Sequence, residues 1–162
     1  MKINLTKTDF LISKGCNKNA WLKVHKPDIY HTKELSAFEL NIIDTGNEID
    51  QLARKLFPDG VIVEDRKDAD YTAKLIAQKT PVIYQPVFKT DTYSAIADIL
   101  VFNIVSGMYD LYEVKSSTAT DEGEGGRKTE EYIIDIAFQK VVLDILGIPV
   151  GRLSLIRLNK EY

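Results

Sequence analysis

Hydrophobic positions change rhythm along the chain, and each change marks an element. The opening "TKTDFLISKGCNKNAWLKVHKP" sets short apolar groups among lysines and predicts two short helices broken near Gly15, with Pro27 ending the second. "SAFELNIIDTGNEIDQLARKLFPDG" predicts a long amphipathic helix, in which Phe38, Ile42, Ile49, Leu52, Ala53 and Leu56 recur at helical spacing until Pro58 and Gly60 stop it. "DYTAKLIAQK" predicts another short helix, capped by Asp68 or Asp70. The middle then turns to β-branched and aromatic residues. "PVIYQPVF", "YSAIADILVFN" and "MYDLYEVK" read as strands, with Ser106-Gly107 as a two-residue hairpin turn between the last two. "TATDEGEGGRKTE" is acidic and glycine-rich, the composition of a flexible loop. "EEYIIDIAFQKVVLDILG" predicts a helix that buries Ile133, Ile136, Ala137, Val141, Leu143 and Leu146 and closes at Gly147 and Pro149, and "VGRLSLIRL" is a final strand. The order of helix, three strands, helix and strand implies a mixed α/β sheet with helices packed against it.

A chain of 162 residues suits one domain, residues 1–162, with a substantial core. Hydrophobic content of 44% and charged content of 28% are those of an ordinary globular protein. The net charge of -3 demands no nucleic-acid partner, so any such partner must be met by a local basic patch. Lys2, Lys7, Lys14, Lys18, Lys23, Lys26 and Lys33 face only Asp9 and Asp28 before Glu34, and a run of this kind is expected to be solvated surface. Cys16 is the single cysteine, which excludes an internal disulfide and points to a reducing compartment. No window has the length of a signal peptide core or a membrane span, so the expected location is cytoplasmic and no membrane contact is expected.

Chemistry enters where the strands carry charge. In "YSAIADILVFN", read as one strand, both faces are apolar except for Asp98, which makes it a central strand with an acid inside. An unpaired carboxylate there costs several kcal/mol, so it needs a cation, a hydrogen-bond network or a metal. "YEVKSST" ends the next strand with Glu113 and Lys115 on one face. With Ser106-Gly107 as the turn, Asp98 lies opposite Lys115 and Glu113 one diagonal away; a slip by two residues sets Asp98 opposite Glu113 instead. Either register gathers two carboxylates and an ammonium into one patch. Such a patch is either a structural ion-pair cluster or a hard-cation site, and the residues alone leave both open.

"IAD" at 96–98 followed by "YEVK" at 112–115 resembles the Asp...(Asp/Glu)-X-Lys signature of the PD-(D/E)XK nuclease superfamily, without the proline that commonly precedes the aspartate. "TGNEIDQLARKLFPDG" is similar to the glycine-plus-acid helix that precedes the sheet in RecB-like members, where Glu48 matches the acid position. "IIDIAFQKVVLDILGIPV" resembles the RecB-type helix in which a glutamine, here Gln139, follows the lysine; the tyrosine often found four residues later is Leu143. With "LTKTDFLISKGCNKNAWL", "DIAFQ" and "LNKEY", the chain resembles a group of largely uncharacterised bacterial RecB-family nuclease domains from Thr6 to Tyr162. Members of that group are typically longer, which implies that this chain is the leading part of a protein with a further domain downstream.

The resemblance implies a restriction-endonuclease-like mixed sheet flanked by helices, and metal-dependent hydrolysis of phosphodiester bonds in nucleic acid, DNA for preference, with 5′-phosphate products. It implies Asp98, Glu113 and the Val114 carbonyl as ligands of Mg²⁺ or Mn²⁺, with Glu48 bound directly or through water. Lys115 would position the attacking hydroxide and stabilise charge on the phosphorus, and Gln139 would fix the nucleophile or a phosphate. Ser116, Ser117 and Thr118 are candidates for contacts with the nucleic-acid backbone. Related CRISPR-associated and AddB-like exonucleases hold an iron–sulfur cluster on four cysteines. Cys16 alone cannot form a four-thiolate cluster within this chain, and it is expected to be a buried structural thiol. The alternative is a catalytically silent nucleic-acid- or protein-binding module of the same fold.

Overall fold

A computed structural model of the chain describes residues 4–30, 34, 36–118 and 125–159. The architecture is mixed α/β, with two sheets flanked by helices. In chain order, β1 (Leu5–Thr6) leads into α1 (Lys7–Gly15), α2 (Asn17–His25) and the long α3 (Ala37–Arg54). Next come β2 (Val61–Ile62), α4 (Ala69–Ala77), β3 (Val82–Tyr84), β4 (Val87–Lys89), β5 (Tyr93–Ile96), β6 (Ile99–Asn103) and β7 (Met108–Thr118). The chain then forms α5 (Gly125–Ile145) and β8 (Val150–Leu158). Among the described residues, no helix is long and apolar enough to cross a membrane.

Local chemistry sets the helix starts. Thr6 and Asp9 form a capping box on α1, Ser36 and Glu39 form one on α3, and the Asp68 side chain accepts from the Tyr71 N–H to cap α4. The predicted break near Gly15 falls at Cys16, and Cys16 is exposed rather than buried. The helices on either side of Cys16 pack chiefly on each other, so the thiol sits at their outer corner. Of the stretch expected to be a loop, Thr118 ends β7 and the residues from Gly125 onward belong to α5, while residues 119–124 lie outside the described residues.

The five-stranded sheet runs β2-β3-β6-β7-β8, and the three-stranded sheet runs β1-β5-β4. Strand β6 runs antiparallel to its neighbours β3 and β7, while β2 and β8 add in parallel at the two edges. Two stretches read as single strands are each two strands in different sheets. "PVIYQPVF" breaks at Gln85-Pro86, and "YSAIADILVFN" breaks at Ala97-Asp98. Pro86 cannot donate to a ladder, and Gln85 takes a left-handed backbone with φ 51°. The breaks lie side by side: Gln85 N–H donates to the Asp98 carbonyl at 2.9 Å and Ala97 N–H to the Pro86 carbonyl at 3.1 Å. One long antiparallel pair is thus folded over a common kink, and Gln85 and Asp98 stand at the corner.

The core lies on both faces of the larger sheet. One cluster joins Leu75, Ile83, Phe88, Leu100, Leu111, Ile136, Phe138, Val142 and Leu143 between strands, α4 and α5. A smaller one joins Ala53, Val82, Tyr84 and Ile99 beneath the C-terminal half of α3. The apolar spacing marks the buried faces of the long helices only in part: Ala53, Ile136 and Leu143 are buried, and other marked positions are not. On α3, Phe38, Ile42 and Leu52 are exposed, as is Leu56 just past its end, and Ala53 is its buried residue. On α5, Ile133, Ala137 and Val141 are exposed, as is Leu146 just past its end, whereas Asp135 and Gln139 are buried beside Ile136, Phe138, Val142 and Leu143. Close approach explains α3, because a small residue lets the helix backbone sit on the sheet. In α5 two polar residues are turned inward by charges waiting there.

The turn after α3 carries a sharp steric constraint. The Tyr84 hydroxyl donates to the Phe57 carbonyl and accepts from the Gly60 N–H at 3.3 Å, while the Arg54 guanidinium lies 5.3 Å from the ring centroid. A Cβ on Gly60 would overlap the Tyr84 ring. Gly60→Ala should therefore destabilise by about 1–3 kcal/mol, as overpacking does. A thermal melt should show a loss of several degrees, and an unchanged melting temperature would show that Tyr84 can move aside.

Candidate active site

The residues drawn from the sequence meet at the end of the larger sheet. Strand β6 pairs with β7 through Ile99↔Tyr112 and Leu100↔Leu111, and the hairpin closes with Asn103↔Met108. The turn is therefore the four residues 104–107 and not Ser106-Gly107 alone. Continuing that register sets Asp98 across from Glu113 rather than Lys115, the two-residue slip. An even slip preserves the face, so the acids still converge. Asp98 itself stands just outside β6 at the kink, and its Oδ2 accepts from the Val114 N–H at 2.7 Å.

Glu113 is 3% exposed, and both of its oxygens are engaged. Lys115 Nζ lies 2.6 Å from Oε1, and Gln139 Nε2 donates to Oε2 at 2.6 Å. Lys115 also donates to Asp135 Oδ2 at 2.5 Å, so one ammonium bridges two buried acids. A second ammonium comes from the start of α1: Lys7 Nζ lies 2.8 Å from Asp135 Oδ1 and 3.6 Å from Glu113 Oε1. Lys7 belongs to the run expected to be solvated surface, as does Lys23, which pairs with Asp9 at 2.7 Å. Both correct that reading, since a lysine stem can follow an apolar surface while its head meets an acid.

On the other side of Asp98 stands α3. Gln85 Nε2 lies 3.3 Å from Asp50 Oδ1 and 3.4 Å from Asp98 Oδ1. Asp50 is paired with Arg54 at 2.5 Å, one helical turn on. Glu48 is exposed and lines no part of this cluster. The reason is the face of α3: with Ala53 and Gly46 inward, Asp50 follows them and Glu48 points away. Asp50, Asp135 and Lys7 are the members that motif reading missed. Of these, Asp135 had a signal, because it lies one helical turn before Gln139.

Charge compensation is uneven. Arg54 answers Asp50, and Lys115 with Lys7 answers Glu113 and Asp135, but Asp98 has no ion-pair partner among the described residues. Burial, then the charges of Glu113 and Asp50, push the Asp98 carboxyl up to about 7 against the bond from Val114 N–H. Burial works against the Lys115 ammonium, but Glu113 and the bond to Asp135 outweigh it and hold the proton more tightly than usual. Burial likewise disfavours charged Asp135, yet hydrogen bonds from Lys115 and Lys7 outweigh that and lower its pKa.

A cavity of about 660 Å³ opens on this cluster, lined by Gly46, Asp50, Arg54, Gln85, Asp98, Val114, Lys115 and Ser116 among others. The Ser117 hydroxyl is enclosed without a partner among the described residues, and the Thr118 side chain lies outside them. The donor set can be tested against the divalent ion that the sequence resemblance implies. Among the described residues, no three His, Cys, Asp or Glu side chains are grouped as a protein-built metal cage requires. A hard cation that keeps most of its waters needs only one or two carboxylates. Among the described residues Asp98 has no ion pair, and the buried Gln139 Oε1 has no donor such as a metal-bound water would supply. The residues fit a partly hydrated Mg²⁺ or Mn²⁺, and they do not fit an all-protein site. The sequence matches no family model and no curated protein.

Proposed function

We propose that the chain is a divalent-cation-dependent nuclease that hydrolyses phosphodiester bonds in nucleic acid, with DNA as the expected substrate and 5′-phosphate products. The observation that carries this reading is Asp98, a half-buried carboxylate facing a cavity with two other acids nearby and no ion pair among the described residues. Asp98, one oxygen of Glu113 and the Val114 carbonyl would hold Mg²⁺ or Mn²⁺, and Asp50 takes the place considered for Glu48. When bound, the ion would polarise a phosphoryl oxygen and lower the pKa of the attacking water.

The remaining roles belong to the chain's own side chains. Lys115 stays protonated, so it cannot serve as a general base; its ammonium holds the nucleophile's oxygen or the charge that builds on the phosphoryl oxygens. Asp135 and Glu113 fix that ammonium from two sides. Gln139 fixes Glu113, and its open Oε1 can accept from a water at the reacting centre. Ser116, on the cavity wall, can donate to the nucleic-acid backbone.

One observation favours a second reading. Lys7 and Lys115 together satisfy Glu113 and Asp135 without any added ion, as a catalytically silent binding module would require. Calorimetry with Mn²⁺ and a nuclease assay on single- and double-stranded DNA and RNA separate the two. The nuclease reading expects Mn²⁺ binding and cleavage by the wild type, both lost in Asp98→Ala. Absence of cleavage on every substrate, with equal Mn²⁺ binding by both proteins, would favour the silent module.

A further inference from the structure

Asp98 borders a second cavity. This one holds about 400 Å³ and is lined by Thr6, Lys7, Thr8, Arg66, Gln85, Val87, Ser94, Ala95, Ile96 and Asp98. Arg66, Gln85 and Asp98 line both cavities, so the two adjoin at the corner where the sheets meet. Their linings differ in charge. The first sets Arg54, Arg66 and Lys115 against Asp50, Glu64 and Asp98. The second sets Lys7 and Arg66 against Asp98 alone, beside the hydroxyls of Thr6, Thr8 and Ser94.

Arg66 distinguishes the second cavity. It is exposed, and among the described residues it has no carboxylate or hydrogen-bond partner, whereas Arg54, Lys7 and Lys115 are each held by acids. A guanidinium carries a planar fork of donors suited to phosphate oxygens, and an exposed one with no protein partner keeps all of them for a ligand. Each cavity has the size of a small-ligand pocket, room for a nucleotide or two but not for a duplex. In a chain of net charge -3, a local cationic wall beside the candidate reacting centre is the feature that would hold a polyanion.

We infer that the second cavity is a phosphate-binding subsite in which Arg66, assisted by Lys7, Thr8 and Ser94, holds a backbone phosphate of a single-stranded nucleic acid. The strand passes over Asp98 from the first cavity into the second, which places the scissile bond between the two. This assignment rests on the nuclease reading for the identity of the polyanion and adds to it the path of the strand. Arg66 is a substrate-positioning residue, since it reaches a phosphate next to the reacting one.

The test is equilibrium binding of a fluorescent single-stranded oligonucleotide in Ca²⁺ buffer across a range of salt, with wild type, Arg66→Ala and Arg66→Lys. Loss of one phosphate contact should reduce the slope of log affinity against log salt by about 0.7 and weaken binding several-fold, with partial recovery in Arg66→Lys. The melting temperature should be unchanged, because Arg66 has no partner to lose among the described residues. Equal slopes for wild type and Arg66→Ala, or no binding by the wild type, would overturn the subsite. Displacement of the oligonucleotide by inorganic phosphate at equal concentration would also overturn it, by marking the cavity as a site for a free anion. These measurements need no cleavage, so a protein that binds through Arg66 and never cuts would overturn the nuclease reading while leaving the subsite standing.

Discussion

Lys115→Ala is expected to abolish Mn²⁺-supported cleavage, by 10²-fold to 10³-fold or more, and to lower the stability of the fold at the same time. The rate effect follows from removing a fixed cation aimed at charge that develops in the transition state, for which losses of about that size are usual. The stability effect follows from the geometry. Lys115 Nζ stands between Glu113 at 2.6 Å and Asp135 at 2.5 Å, and all three are largely enclosed. Removing the bridge leaves two buried acids with Lys7 as their one remaining ion-pair partner among the described residues. Breaking a buried pair costs about 3–5 kcal/mol, and Lys7 should hold the loss near the lower end. A melt of wild type and variant should differ by roughly 10 °C for a chain of this length. Lys115→Arg separates the two roles: it keeps the charge and should recover most of the melting temperature, while cleavage stays low because the donor geometry has changed. A variant that melts low but still cuts at the wild-type rate would make Lys115 a structural residue only.

The second large effect is a dependence of stability on pH that runs opposite to ordinary acid denaturation. The Asp98 pKa is pushed up to about 7 in the folded chain against an ordinary value of 3.8. Between those values the folded state binds the proton and the unfolded state releases it, so stability falls as pH rises from about 4 to about 7 and levels off above that. At 1.36 kcal/mol per unit, the difference sets an upper bound of about 4 kcal/mol. Asp135 contributes in the other sense: its lowered pKa adds stability above the unfolded value that is lost as pH falls below it. The two windows do not overlap, so melts at pH 5 and pH 8 isolate Asp98. Asp98→Asn should be about as stable at pH 8 as at pH 5 and more stable than the wild type at pH 8. In the wild type, Mg²⁺ should raise the melting temperature more at pH 8 than at pH 5, because the ion competes with the proton for one carboxylate. A wild-type melt that does not change between the two pH values would mean that Asp98 is solvated or paired.

Much of the site was legible in the chain itself because strands have a fixed period. Glu113 and Lys115 are two residues apart in a strand, so they share a face whatever surrounds them. Asp98 was marked by the cost of a lone acid among apolar neighbours, and its convergence with Glu113 survived a mistaken turn because the slip was even. The Asp68 cap on α4 and the break expected near Gly15, found at Cys16, were equally local, written within a few residues of where they act. The α/β class followed from the order of those local patterns.

Tertiary structure decided everything that depended on which surface an element meets. Apolar spacing marked Phe38, Ile42, Ile49, Leu52, Ala53 and Leu56 alike, but of these the helix buries Ala53, so Asp50 and not Glu48 reaches the cluster. On α5 the polar Asp135 and Gln139 are buried because Lys7, Lys115 and Glu113 are already there to pair with them, a gain that no helical periodicity records. Lys7 lies 106 residues from Glu113 in the sequence, and only the packing of α1 against the sheet and α5 brings its ammonium to that acid. The kink at Gln85-Pro86 and Ala97-Asp98 is the clearest case. Each half reads as strand, and only the pairing of two broken strands places Asp98 at a corner open to both cavities. Local propensity fixes what a residue can do with its neighbours in sequence, whereas burial, pairing and charge compensation belong to contacts between segments far apart along the chain.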